Sequence, residues 1–183
     1  MSHHWNDKTD VLTTNLCLLR KRYRLTQPQV AKAAHIDRSS YAYYELGKTH
    51  PRLNTLVSLL SFYGVSMDMI LGVVPMAFPP APSPSLPPDI PLATLRRRLA
   101  ENMRYHRQRL NLGQQWMADY LSVDRTTYSH YEAGRSTPSY RSLVMLGRLF
   151  GISTDCLLAD MPMGENDVSP SSSYAVIDTA KQR

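Results

Sequence analysis

The chain has 183 residues, 43% of them apolar, and a formal net charge of +6, which suits one medium or two small folded domains and an anionic partner such as nucleic acid. No apolar run reaches the roughly 18 residues of a membrane span, and the N-terminal MSHHWNDKTD lacks a signal peptide's apolar stretch. Cys17 and Cys156 stand far apart with no CxxC pair, so neither a disulfide framework nor a zinc site is indicated and a reduced cytoplasm is the expected setting.

Apolar residues recur with helical spacing and without sustained alternation, so an all-α chain is expected. The first helix is expected from about Val11 to Tyr23, with Leu12, Leu16 and Leu19 on one face. A second begins at Thr26, where TQPQ offers an N-cap hydroxyl and a glutamine three residues on, with Pro28 tolerable in the first turn. Asp37 caps a third, whose inward positions are Tyr41 and Tyr44 and whose stop is Gly47. A fourth follows Pro51 on Leu53, Leu56, Leu59 and Leu60, and Ser66 caps a brief fifth carrying Met69, Ile70 and Leu71.

VVPMAFPPAPSPSLPPDIP then interrupts the pattern, because dense proline neither continues a helix nor pairs as a central strand. It reads as an extended linker, with a reach of about 50 Å at about 3.1 Å per residue. Beyond it the helical pattern starts again. Shifting the chain by about 87 positions aligns Asn15–Gly72 with Asn102–Ala159 without a gap, at roughly 20 identities in 58 positions. DRSSYAYYELGKTHP and DRTTYSHYEAGRSTP are the two versions of its most similar stretch. The expected organisation is therefore a helical domain at 9–72, a Pro-rich linker at 73–91, a second helical domain at 92–159 and a disordered tail at 160–183. Each copy holds about five more basic than acidic residues, while linker and flanks together are acidic.

Each copy resembles the helix-turn-helix domain of the lambda-repressor and Cro type, the Xre family. The likeness rests on Gln27 or Gln114, the small Ala31 or Ala118, the apolar Ile36 or Val123 after the turn, and YELGK or YEAGR. It covers nearly all of both copies and implies two tandem five-helix units, each placing its third helix in the major groove of double-stranded DNA. Carried onto this chain, the resemblance implies base contacts from Arg38, Ser39 and Tyr43 beside Ala42, and from Arg125, Thr126 and His130 beside Ser129. For the two arginines, a phosphate contact stays open as the alternative. Gln27 and Gln114 would meet phosphates or cap their helices, and Lys48 and Arg135 would approach the backbone. The resemblance pairs Arg20 with Glu45 and Arg107 with Glu132 inside each domain as structural ion pairs.

The chain departs from the family pattern twice. His35 and Ser122 stand where the turn usually carries glycine, and Tyr41 and Tyr128 stand where a branched aliphatic is commoner, so each buried hydroxyl needs a partner. Arg96, Arg97 and Arg98 fall on an extended first helix of the second copy, as further phosphate contacts or as a solvated face. No HExxH motif or carboxylate pair points to an enzyme, and no cofactor or metal is expected. The expected function is a sequence-specific DNA-binding transcriptional regulator reading two related half-sites, as a homodimer or an intramolecular pseudo-dimer and without a membrane partner. The alternative is a protein-interaction module, such as an antitoxin, in which one or both domains do not bind DNA.

Overall fold

The computed structural model describes residues 10–75 and 90–160, and every regular element among them is helical. Most of the expected linker, 76–89, and of the expected tail, 161–183, lies outside the described residues. The chain divides into two compact units between Ile90 and Pro91.

The first unit contains α1 (Val11–Arg22), α2 (Gln27–Ala33), α3 (Arg38–Glu45), α4 (Leu53–Tyr63) and α5 (Met67–Ile70). α1 starts where the Asp10 carboxylate accepts the Leu12 N–H at 3.2 Å, supplying one of the partners a helix start lacks. At α2 the Thr26 N–H donates to Gln29 Oε1 at 2.8 Å, as the TQPQ pattern anticipates. α4 closes on Gly64 at φ 65°, a left-handed cap open to glycine at no steric cost. Leu12, Leu16 and Leu19 of α1 meet Val30, Ala31, Tyr41, Leu56, Leu59 and Ile70 in a core with almost no solvent contact. Each leucine so buried contributes about 1.5–3 kcal/mol.

The second unit contains α6 (Leu92–Arg109), α7 (Gln114–Leu121), α8 (Arg125–Glu132) and α9 (Tyr140–Phe150). Its core repeats the first, with Leu99, Met103, Met117, Ala118, Tyr128, Leu143, Leu146 and Leu157 buried. α6 begins ahead of the position matching Val11, so Arg96, Arg97 and Arg98 do lie on an extended first helix. Two of them are tied down, Arg98 by Asp160 and Arg97 by Glu101 at 2.9 Å. Where the first unit has α5, the second has a run of turns at 154–158. Both segments start on a serine cap: Ser66 Oγ accepts the Met69 N–H and Ser153 Oγ the Cys156 N–H, each at 3.1 Å.

Asn15 and Asn102 fasten the first helix of each unit to its last segment. Asn15 Nδ2 donates to the Ile70 carbonyl at 3.0 Å, and Asn102 Nδ2 donates to those of Leu157 and Ala159, each at 3.0 Å. The beginning and end of the first unit therefore touch, and Gly72 leaves no room for a Cβ beside the Val11 side chain.

Left-handed backbone recurs in register. Arg24 and Asn111, which follow the first helices, have φ of 53° and 52°, and His35 and Ser122, which follow the second, have 54° and 55°. The departure from glycine at His35 and Ser122 thus leaves the turn conformation in place, at a cost of about 1 kcal/mol or more per site. The chain accepts that cost because the turn fixes the angle between helices two and three. The Ile36 N–H reaches the Ala31 carbonyl at 2.9 Å, and the Val123 N–H that of Ala118 at 2.9 Å.

Candidate nucleic-acid interface

In each unit helix three is the element that the others hold out, and α1 with α2, or α6 with α7, pack against one side of it. Tyr41 and Tyr128 form its inner face and are wholly buried. At the opposite face of α3, Arg38 and Ser39 are exposed on the first turn, Ala42 is half-buried and Tyr43 is 46% exposed. In α8, Arg125 and Thr126 are exposed, and Ser129 and His130 are half-buried. The chemistry presented differs between units: arginine, serine and a phenol in one, arginine, threonine and an imidazole in the other.

The front of α8 is capped by Asp124, whose carboxylate accepts the Thr127 N–H at 2.8 Å and the Thr127 hydroxyl at 2.6 Å. Those bonds hold the Asp124 carboxyl below its ordinary range. Asp37 has the same N-cap backbone geometry without the side-chain bond. Behind helix three the loop folds back in both units, with the Lys48 N–H on the Tyr43 carbonyl at 3.0 Å and the Arg135 N–H on that of His130 at 2.9 Å. Lys48 Nζ lies 5.4 Å from the centre of the Tyr43 ring, a cation–π contact joining two of the candidate contact residues.

The ion pairs sit beneath this surface. Arg20 donates from Nε to Glu45 Oε1 at 2.6 Å and from Nη2 to Oε2 at 3.0 Å, and Arg107 meets Glu132 at 2.6 and 3.0 Å. The remaining Arg20 nitrogen donates to the Leu25 carbonyl at 3.1 Å, and that of Arg107 to Leu112 at 2.9 Å. Both carboxylates are nearly enclosed, at 6% and 3% exposure. Burial by itself pushes each carboxyl up, but donors from arginine and glutamine and the arginine charge outweigh it and hold both below the ordinary value.

Gln27 and Gln114 complete these clusters, a connection the sequence reading missed. Gln27 Nε2 donates to Glu45 Oε2 at 2.9 Å, and Gln114 Nε2 to Glu132 Oε2 at 2.9 Å. The first residue of α2 is thereby joined through one carboxylate to α1 and α3. The signal was present, since arginine, glutamate and glutamine are identical in both copies, but spacing does not reveal a three-way contact. Asn15 and Asn102 were likewise unmarked, because a side chain that donates to a distant carbonyl has no local signature. Among the described residues no group of three His, Cys, Asp or Glu side chains could hold a metal ion, and no helix is long and apolar enough to cross a membrane.

Comparison with known proteins converges on these two units. Residues 18–70 match one helix-turn-helix family and residues 98–161 a second, described as a helix-turn-helix domain. The uncharacterized HTH-type transcriptional regulator YobD of Bacillus subtilis (strain 168) is 46% identical over 55 residues, covering 30% of this chain and 49% of its own. The SPbeta prophage-derived uncharacterized regulator YonR of the same organism is 38% identical over 58 residues, 32% of this chain and 54% of its own. The HTH-type transcriptional regulator AnsR, also from that organism, is 40% identical over 52 residues, 28% of this chain and 45% of its own. The chain thus spans about half the length of the curated relatives it matches. No solved structure matches it at a comparable level. With the exposed third helices, the turns between helices two and three and the matching families in agreement, the chain belongs with the Xre-like helix-turn-helix proteins, carrying two tandem copies of the domain.

Proposed function

We propose that the protein is a transcriptional regulator that binds double-stranded DNA sequence-specifically, with the front of α3 reading one half-site and the front of α8 a related one. The observation that carries this reading is the exposed arginine at the start of both third helices, Arg38 and Arg125, each followed by an exposed hydroxyl. An arginine there matches guanine O6 and N7 with two parallel donors, a fit worth about 1–3 kcal/mol of discrimination. Lys48 and Arg135, with the outward part of each Gln27 and Gln114 amide, take phosphates on either side. Tyr43 opposite His130, and Ser39 opposite Thr126, make the half-sites similar but not identical.

Selection of bound sequences from a random duplex pool, followed by footprinting on the full chain, tests both heads together. Two protected half-sites are expected, and Arg38→Ala or Arg125→Ala should each weaken binding roughly 5- to 150-fold and relax one base position. Protection of a single half-site that Arg125→Ala leaves unchanged defeats the two-headed reading. Absence of duplex binding even at low salt would instead favour the protein-interaction module, because a binder engaging several phosphates loses affinity steeply with salt.

A further inference from the structure

A groove of about 920 Å³ runs along the outer side of α1, floored by Thr13, Cys17 and Leu18 and flanked by Lys21, Arg22 and Arg24. Its far end reaches Glu45, the last residue of α3. In the second unit a groove of about 370 Å³ beside α6 and the end of α8 overlaps the equivalent position only at Ala100, Glu101, Arg104 and Glu132. Two features of α6 shape it. Its added N-terminal turn contributes Ala93, Arg96 and Arg97 to the wall, and Arg104, which stands where the first unit has Cys17, crosses to donate to the Glu132 carbonyl at 2.8 Å.

Three properties of the larger groove describe its occupant. The floor is apolar and open, with Leu18 41% exposed. The flank is positive: Lys21 and Arg24 are exposed, while the carboxylate that lines the groove, Glu45, already accepts from Arg20 and Gln27. The same two positions in the second unit are Gln108 and Asn111. Finally, Thr13 is 9% exposed and its Oγ1 has no hydrogen-bond partner, whereas its counterpart is Ala100. A hydroxyl left so costs about 1–3 kcal/mol.

We propose that this groove of the first unit receives an amphipathic helix of a partner protein that sets leucine-like side chains on Leu18 and carboxylates against Lys21 and Arg24. An apolar floor with a charged flank is how helix-in-groove recognition divides affinity and specificity. Duplex phosphates would match the cations but leave the apolar floor unused. The groove meets the end of α3 opposite Arg38, seven residues and roughly 10 Å along the helix.

The test uses the full chain and a fluorescein-labelled 16-residue peptide with leucine at i, i+3, i+4 and i+7 and glutamate elsewhere, with a lysine-for-glutamate version as control. Saturable anisotropy is expected for the glutamate peptide alone, with amide shifts concentrated at 13–24. Binding should weaken at least tenfold in Leu18→Asp and in Lys21→Glu/Arg24→Glu, all exposed positions where the fold is retained, and stay unchanged in Arg109→Glu. Equal binding of both peptides, or no shifts at 13–24 at millimolar peptide, overturns the assignment. So does a Lys21→Glu/Arg24→Glu chain that keeps peptide affinity but loses duplex affinity and salt slope, since the cations would then serve DNA. Duplex binding measured on Leu18→Asp separates this outcome from failure of the DNA reading itself.

Discussion

The two units bury a tyrosine at the same point of helix three and satisfy it differently. Tyr41 shares its hydroxyl with that of Tyr63 at 3.0 Å, while Tyr128 donates to Glu132 Oε1 at 3.1 Å. The position matching Tyr63 is Phe150, which has no hydroxyl to offer. Burial and the neighbouring hydroxyl push Tyr41 far above a phenol's ordinary range, and burial with the nearby carboxylate does the same for Tyr128, so both remain neutral donors. Tyr63, pushed up to about 12 mainly by burial, stays neutral as well. What duplication preserved is the arginine–glutamate–glutamine cluster and the left-handed turns. What it left free is how the hydroxyl of the buried tyrosine is matched.

This contrast makes Glu132 the more heavily used carboxylate, since it accepts from Arg107, Gln114 and Tyr128 where Glu45 accepts from Arg20 and Gln27. Glu132→Ala is expected to destabilise the second unit by about 3–5 kcal/mol, leaving a guanidinium and a phenol without their acceptor. Glu45→Ala should cost the first unit an amount nearer the lower bound. Urea titrations followed by unit-resolved amide resonances measure both, and equal losses would show that the tyrosine bond adds nothing. Domains of this size have little stability to spare, so either change is expected to abolish duplex binding through unfolding.

A smaller effect distinguishes the tyrosines. Tyr63→Phe should destabilise the first unit by about 1–2 kcal/mol, because Tyr41 loses its 3.0 Å hydroxyl partner and is left with the Leu16 carbonyl, 3.4 Å away, and the neighbouring Glu45 carboxylate. The reciprocal Phe150→Tyr should move the second unit by less than about 0.5 kcal/mol, since Tyr128 already has its acceptor. The same titrations compare the pair, and a neutral Tyr63→Phe would remove the hydroxyl pair from the account.

The smallest expected effect is a difference in pH response. His106 occupies the position of the fully buried Leu19 and stacks on Phe150 with ring centres 5.2 Å apart. Burial, and then the charge of Arg109, lower its affinity for a proton. The unfolded chain takes up that proton more readily, so the second unit loses stability as pH falls below about 6.5, the ring's ordinary value. Below about 4.5 both units weaken, because the depressed Glu45 and Glu132 are protonated first in the unfolded chain. Melting temperature between pH 7 and 5.5 should therefore fall only in the second unit, and His106→Leu should flatten that slope. An unchanged slope in the variant refutes the assignment.

The helix boundaries are readable in the sequence, because Asp10, Thr26, Ser66 and Gly64 act locally and the leucine spacing leaves one face for each helix to bury. The register of helix three, and hence which side chains stand beside Arg38 and Arg125, follows from the inward Tyr41 and Tyr128. Less is readable where partners lie far apart in the chain. Asn15 finds carbonyls at Met69 and Ile70, and Gln27 finds Glu45, through packing angles that no short pattern encodes. Local similarity also misleads at helix three, where two identical aspartates differ in capping: Asp124 accepts from Thr127, and Asp37 makes no side-chain cap bond.

The asparagine tie between first helix and last segment has a topological result. The first unit leaves the chain close to where it joined it, so it hangs from the polypeptide as a bead from a loop of thread. Copying such a bead head to tail lengthens the string without disturbing the bead already there, and gives the newcomer liberty to exchange its trimmings.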